Sequence, residues 1–131
     1  MEHPKISQHI TFIYTQNLEQ AAHFYEEIFA LQLWRDQKTC RIYHLTGESY
    51  LGICQRGDDA KGTVNEGQQN NVIITIVCDE VDQWYTFLTT KGIVFDKPPA
   101  LNPRYNIYHC FLRDIDGYLI EIQRFLDPPL T

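Results

Sequence analysis

One carboxylate interrupts an otherwise apolar, strand-like run near the carboxyl end of the sequence. Glu121 lies between Ile120 and Ile122. An ionised carboxylate is costly to bury without a partner, so this side chain should either pair with another group or face a wet cavity. A carboxylate in the wall of a cavity can hold a cation or move a proton. The sequence therefore favours a cavity role for Glu121.

A histidine and an arginine could supply polar groups to the same cavity. His109 lies in the strand-like run Ile107–Arg113, and it becomes a polar wall residue if its face of the strand points into the cavity. If the opposite face does so, His109 only packs against its neighbours. Arg104 and Tyr105 follow a proline in a loop, where they could close over a cavity as a lid or form plain surface. The sequence leaves both pairs of alternatives open.

Four cysteines offer sulfur chemistry, and each lies alone in an apolar run: Cys40, Cys54, Cys78 and Cys110. None forms the CxxC pair that is typical of structural zinc or of a redox dithiol. We therefore expect four buried free thiols, as in proteins of the reducing cytoplasm. Cys54 should share the cavity-facing side of its strand with Gly52, which makes Cys54 a candidate ligand contact.

The elements that must position these residues follow one order twice. The first half is predicted to contain a strand at 8–15, a helix after the N-cap Asn17, and strands at 31–35, 40–45 and 49–55. The second half is predicted to contain a strand at 72–78, a helix that ends at Lys91-Gly92, and strands at 93–95, 107–113 and 118–125. Prolines at 98, 99 and 103 indicate an irregular loop between the strands at 93–95 and 107–113.

Short sequence pairs recur between the halves and indicate an internal repeat. Asn17-Leu18 corresponds to Glu80-Val81, and Tyr50-Leu51 corresponds to Tyr118-Leu119. Repetition at this scale is a sign of architecture rather than of chance. We predict an α+β fold in which residues 1–131 form a single domain of two βαβββ modules, at about 6–56 and 71–126, joined by a polar linker at 57–70.

The single helix of each module can cover only one face of its strands. In the first strand, alternation places Ile10, Phe12 and Tyr14 against the helix. Two open faces set edge to edge make a cup, which is a usual setting for a small-molecule site. The residues expected on the open faces are His9, Thr11 and Ile13 in the first module and Leu119, Glu121 and Gln123 in the second.

The paired modules resemble the vicinal oxygen chelate superfamily, which includes glyoxalase I, extradiol dioxygenases, fosfomycin-resistance enzymes and bleomycin-resistance proteins. The resemblance spans about residues 6–126. It rests on His9-Ile-Thr-Phe12, on Asn17-Leu-Glu19 with Phe24-Tyr25, and on the run Arg113–Ile122. Ile115 replaces the proline that is usual in that last run. The resemblance implies a cup-shaped mixed sheet built from the two modules.

The same resemblance implies metal ligands on the first and last strands of each module, and here the set is incomplete. His9 occupies the first position and Glu121 the last. The remaining positions hold Val72 and Gly52, or Ile53 in the neighbouring register, and none of these side chains can bind a metal. Candidate replacement ligands are Asn71, His109 and Glu48. The site would hold one divalent metal (Fe, Ni, Zn or Mn) or none.

Two functions follow from the residues and the resemblance. In the first, the chain binds a small organic molecule in the cup between the modules, as bleomycin-resistance proteins do. In the second, it is a metal-dependent enzyme, a glyoxalase I-like lyase or an extradiol dioxygenase-like enzyme, in which His9 or Glu121 is catalytic and moves a proton. The residues expected to contact the ligand are Thr11, Cys54, Arg104, Tyr108, His109 and Gln123.

Composition excludes several other classes of partner. The chain has 131 residues and a formal net charge of −6, which disfavours a nucleic-acid footprint and an anionic membrane surface. No apolar run reaches the roughly eighteen residues of a membrane span. Residues 1–8 have no apolar core, so we expect no secretory signal and a cytoplasmic location. The apolar residues expected on the open faces should be buried against a second copy of the chain, which predicts a homodimer. These residues are Ile13, Ile74, Ile76 and Leu119.

Overall fold

The computed structural model describes residues 6–57 and 72–129. These two stretches belong to two compact units, and each is described by itself below. From residue 58 onward, the predicted linker lies outside the described residues. No helix in the described ranges has the length and apolar character that crossing a bilayer requires.

The first unit has one helix and a four-stranded mixed sheet in the order β1-β4-β3-β2. Its elements are β1 (His9–Thr15), α1 (Leu18–His23) with a following π-helical turn (Phe24–Ile28), β2 (Gln32–Asp36), β3 (Cys40–Thr46) and β4 (Ser49–Gln55). Strand β1 is parallel to β4, and the other pairs are antiparallel. Asn17 caps α1 as predicted, because its side-chain oxygen accepts a hydrogen bond from the backbone N of Gln20 at 3.1 Å.

The second unit repeats this topology with the strand order β5-β8-β7-β6. Its elements are β5 (Ile73–Val77), α2 (Val81–Thr90), β6 (Lys97–Asn102), β7 (Ile107–Arg113) and β8 (Leu119–Phe125). Strand β5 is parallel to β8, and β8, β7 and β6 are antiparallel neighbours. The α+β fold class and the two βαβββ modules are therefore confirmed.

One strand of the second unit lies later in the chain than predicted. Residues 93–95 form no strand, and β6 instead runs from Lys97 to Asn102 through Pro98 and Pro99. A proline has no backbone N–H to donate to a neighbouring strand. Because β6 is an edge strand, only one side of its backbone pairs with another strand. The register between β6 and β7 shifts between Lys97 and Ala100, around the two prolines. The edge position explains why the prolines do not break the strand.

The predicted faces of β1 are wrong. Ile13 is 3% exposed, whereas Phe12 and Tyr14 are 47% and 51% exposed. Thr11 and Ile13 share the face that carries α1. Thr11 and Tyr43 both pair with Leu51 of β4 and so lie on the same face, and the hydroxyl of Tyr43 donates to Glu26 of the π-helical turn. Both faces of β1 carry apolar side chains, so alternation alone could not choose between them, and a shift of one residue exchanges the two sets.

In the second unit, the face of the sheet toward α2 is buried and apolar. Val81 and Leu88 of α2 are buried, as are the sheet residues Ile74, Cys110, Leu112, Ile120 and Ile122. The prediction that Ile13 and Ile74 need cover is therefore wrong, since both are already buried. The opposite face, here called the open face of the second sheet, carries the exposed side chains of Ile73, Val77 and Phe125.

A tight turn sets the register of β8. Oδ1 of Asp114 accepts hydrogen bonds from the backbone N of Asp116 and of Tyr118, each at 2.9 Å. Gly117 has φ of 89°, a conformation that residues with a side chain rarely adopt. Because the turn closes directly before Leu119, it decides that Glu121 and Gln123 lie on the open face.

Candidate functional site

The open face of the second sheet holds a cavity of about 610 Å³. Its apolar walls come from Ile73, Ile107, Phe111 and Phe125. Its polar lining includes Lys97, His109, Glu121 and Gln123. The cavity therefore combines a mostly apolar surface with a few convergent polar groups, as small-molecule sites do.

A histidine and a carboxylate lie together in the wall of this cavity. Nδ1 of His109 lies 2.6 Å from Oε2 of Glu121. The two side chains are only 14% and 12% exposed. They are diagonal neighbours on antiparallel strands, because His109 pairs with Gln123 and Phe111 pairs with Glu121. The sequence left open whether His109 faces a cavity, and the structure places it in the wall.

The carboxylate of Glu121 is held by further donors. Thr75 of β5 lies opposite Glu121 in the parallel register, and its hydroxyl donates to Oε1 at 3.1 Å. In the orientation that satisfies both of its polar atoms, the side-chain amide of Gln123 donates to Oε2 at 2.8 Å. These donors offset the cost of burying the carboxylate, so Glu121 is both paired and part of a cavity wall.

The partner of His109 also decides which ring nitrogen carries a proton. A carboxylate accepts hydrogen bonds, so Nδ1 of His109 must be the donor in this contact. Within the described ranges, no group forms a hydrogen bond with Nε2. The ring packs edge-on against Phe111, with centroids 4.8 Å apart. His109 thus has a fixed ring orientation and a basic nitrogen available to a ligand.

The two candidate residues of β1 lie on a different face from the one predicted. Oγ1 of Thr11 is 3.3 Å from Nε2 of His9, which places both side chains on the α1 face of their sheet. Ile10, which cannot bind a metal, occupies the opposite face at the start of the strand. The prediction that His9 and Thr11 lie on the open face of their sheet is therefore wrong, because that face carries the side chains one residue further along the strand.

Tyr108 points away from the cavity. Its hydroxyl donates to Oδ1 of Asp82 in α2 at 2.6 Å, and this hydrogen bond raises the pKa of Tyr108. Since neighbouring strand residues face opposite sides, the placement of His109 in the cavity excludes Tyr108 from it. Tyr108 ties β7 to its helix instead of contacting a ligand.

Cys54 is not a free thiol, because it forms a disulfide with Cys40. The two residues pair directly across β3 and β4, in a hairpin whose turn contains Gly47. Their equal spacing from Gly47 is the sequence signal that could have revealed the pair. Cys78 and Cys110 are free thiols, and burial raises the pKa of Cys110 to about 11.

The loop before β7 borders the cavity. Oδ1 of Asn102 accepts hydrogen bonds from the backbone N of Arg104 at 3.0 Å and of Tyr105 at 3.4 Å. Tyr105 lines the cavity, and the guanidinium of Arg104 lies 5.4 Å from the centre of its ring. A lid movement of this loop stays a prediction.

Thr75 and Lys97 are among the residues of this site that were not predicted from the sequence. Thr75 follows Ile73 by one alternation step in β5, and its pairing with Glu121 is a tertiary contact that no local pattern signals. Lys97 was missed because its strand was predicted to lie before it. Both contribute polar groups to the open face of the second sheet.

The first unit has a smaller cavity of about 340 Å³ beside β2 and β4. Trp34 stacks on Tyr50 there, with ring centroids 4.1 Å apart. His44 also lines this cavity, but its Nε2 lies 2.8 Å from the carbonyl oxygen of Gly47 and is thereby occupied. The first unit therefore has a histidine whose Nε2 is not available, in contrast to His109.

The donor groups do not fit a transition-metal centre. Among residues 6–57 and 72–129, no group of three or more His, Cys, Asp or Glu side chains could hold a metal ion. Both oxygens of Glu121 already accept hydrogen bonds, and Nδ1 of His109 is one of the donors. Two histidines and one carboxylate make the smallest common site for such metals.

The sequence matches the family model described as Glyoxalase/Bleomycin resistance protein/Dioxygenase superfamily over residues 6–122. A search of curated proteins gives no match.

Solved structures with the same fold share little sequence with this chain. A glyoxalase/bleomycin resistance protein/dioxygenase from Nocardioides has a TM-score of 0.77 and 20% identity, covering 100% of this chain and 91% of that chain. TioX from Micromonospora sp. ML1 has a TM-score of 0.74 and 18% identity, covering 92% and 99%. A lactoylglutathione lyase from Agrobacterium tumefaciens has a TM-score of 0.70 and 22% identity, covering 92% and 95%.

Proposed function

Since the chain belongs to the glyoxalase/bleomycin resistance protein/dioxygenase superfamily, we propose that it binds a small organic molecule in the cavity on the open face of its second sheet. The observation that carries this proposal is the His109–Glu121 pair, which lies in the wall of a cavity of about 610 Å³. Cavities of roughly 300–1,000 Å³ suit a small ligand.

The residues that line the cavity indicate what kind of ligand it suits. The apolar side chains of Ile73, Phe111 and Phe125 suit a flat or apolar body. Nε2 of His109 accepts a hydrogen bond, so the ligand should present a donor or a weakly acidic hydrogen to it. Lys97 supplies a positive charge to the same cavity and suits an electron-rich group on the ligand.

A fragment screen by amide NMR tests this proposal with two matched variants. Ile73 and Val77 lie on the same face of β5 and are 52% and 58% exposed, but only Ile73 lines the cavity. Fragments that shift the amide signals of Phe111 and Gln123 should lose binding in Ile73→Trp and keep it in Val77→Trp. Equal binding to both variants, or no fragment at these signals, would overturn the proposal.

The metal-dependent lyase or dioxygenase has no observation in its favour. The likeness to a lactoylglutathione lyase at 22% identity supports the fold alone, and the donor set described above does not fit a metal. The predicted homodimer and the predicted cup between the modules stay predictions. Sedimentation at micromolar concentration tests the dimer, and a monodisperse monomer would contradict it.

A further inference from the structure

We propose that His109 is a general base that removes a proton from the bound molecule, and that Glu121 is its positioning residue. This inference rests on the proposed ligand-binding function of the same cavity. It adds a reaction class, proton abstraction from a weakly acidic C–H bond, carried out by protein side chains alone.

The hydrogen bonds around His109 prepare one nitrogen for this step. Glu121 accepts the Nδ1 proton at 2.6 Å, which leaves the lone pair of the neutral ring on Nε2. Glu121 itself cannot swing away freely, because Thr75 holds Oε1 and Gln123 holds Oε2. A carboxylate in this position orients the imidazole and stabilises the imidazolium that forms when the base takes up a proton.

The surroundings of the pair suit the charge changes of such a step. The side chains of His109 and Glu121 are 14% and 12% exposed, and a ligand that fills the cavity would displace the water that contacts Nε2. Lys97 lines the same cavity, and in this proposal its cation stabilises the negative charge that develops on the ligand. The substrate class is therefore a small, apolar or aromatic molecule with an acidic C–H bond next to an electron-withdrawing group.

The step balances without a co-reactant. The C–H bond of the ligand breaks, its proton goes to Nε2 of His109, and the electron pair moves into the electron-withdrawing group. Return of the proton to another atom completes an isomerisation, whereas loss of a leaving group completes an elimination. No oxidant or reductant takes part in either outcome.

A proton-abstraction probe tests the inference without knowledge of the natural ligand. In 5-nitrobenzisoxazole, removal of the ring C–H proton breaks the N–O bond, and the electron pair ends on oxygen as a coloured cyanonitrophenolate. We expect saturable turnover by the wild-type protein and a kcat about 100-fold lower in His109→Asn. The control His44→Asn changes the histidine whose Nε2 is occupied, and it should leave kcat unchanged.

The role of Glu121 has its own readout. Glu121→Gln should lower kcat by at least ~10-fold with little change in KM, because the ligand still enters the cavity while the ring is no longer oriented. Nitrogen-15 NMR of the imidazole should show the Nδ1–H tautomer of His109 in the wild-type protein. Glu121→Gln should lose this single tautomer, which a purely structural role would not predict.

The outcomes separate this inference from the proposed function. Cavity binding of the probe, seen as shifts of the Phe111 and Gln123 amide signals, with equal kcat in wild type and His109→Asn would overturn the inference alone. Absence of turnover above the buffer rate would also overturn it. An Nε2–H tautomer in the wild-type protein would do the same, even if every variant failed to fold.

Discussion

Cys40 and Cys54 lie directly opposite each other on β3 and β4, and their sulfur atoms form a disulfide across the hairpin. They are 14 residues apart in the sequence. Closing a loop of that length removes conformations from the unfolded chain, so reduction should lower the free energy of unfolding by about 3 kcal/mol. Urea unfolding with and without reductant measures this change.

The double variant Cys40→Ser/Cys54→Ser is the control for that experiment, because it should no longer respond to reductant. Alkylation in urea should label Cys78 and Cys110 before reduction, and all four cysteines after it. Labelling of all four without reductant would show that the disulfide does not form.

The free thiols should differ in reactivity. Cys110 is 0% exposed and burial raises its pKa to about 11, whereas Cys78 is half-buried. The thiolate is the reactive form, so a raised pKa makes the thiol of Cys110 slower to react near neutral pH. Alkylation of the native protein followed by peptide mass spectrometry should find label on Cys78 first. Equal labelling of both would contradict the burial of Cys110.

Gly52 should resist a larger residue because the ring of Phe12 lies over it. A Cβ added at Gly52 would overlap the ring atoms Cδ1 and Cε1 of Phe12. Gly52→Ala should therefore destabilise the protein by about 1 kcal/mol or more. In a Phe12→Ala background the same change should cost less, and a double-mutant cycle by urea unfolding measures the difference. Additive effects would mean that the ring does not occupy this space.

Tyr43 should make the stability of the protein fall at high pH. Burial, followed by the hydrogen bond to Glu26, raises the pKa of Tyr43 above its ordinary value of 10.0. The unfolded chain therefore loses this proton at a lower pH than the folded protein does. The contribution is complete below pH 10 and is lost as the pH rises from there through the folded pKa.

Tyr43→Phe isolates that contribution. The variant should be about 1 kcal/mol less stable at neutral pH, because Glu26 loses a donor, and its stability should fall less steeply above pH 10. Urea unfolding of both proteins from pH 8 to 11 measures the two slopes. Parallel slopes would show that the phenol ionises equally in both states.

The corrected positions of His9 and Tyr108 lead to a prediction about the site. The side chain of Tyr108 is hydrogen-bonded to Asp82 on the α2 side of its sheet, and that of His9 is hydrogen-bonded to Thr11 on the α1 side of the first sheet. Tyr108→Phe should therefore leave fragment binding at the cavity unchanged. Metal analysis of protein purified without chelators should find less than one metal per chain, with the same content in His9→Ala. Stoichiometric metal that disappears with this substitution would restore the metal-site hypothesis.

Local sequence patterns predicted most of the helices, strands and turns. The N-cap at Asn17 and the turn at Gly117 were readable from the sequence because their hydrogen bonds join residues close together in the chain. The repeat was readable because both modules carry the same order of apolar segments. The position of β6 was not, since whether Pro98 and Pro99 are tolerated depends on which strand forms the edge of the sheet.

The sequence by itself determined the fold class, the repeat and the presence of a costly carboxylate at Glu121. Only the tertiary structure decided what that carboxylate contacts, because Thr75 and His109 approach it from neighbouring strands through register. It also decided that His9 faces α1 and that Cys54 is bonded to Cys40. The physical reason is the same in each case. Strand pairing brings residues together that are distant in the sequence, and a register shift of one residue would move each side chain of a strand to the opposite face of the sheet.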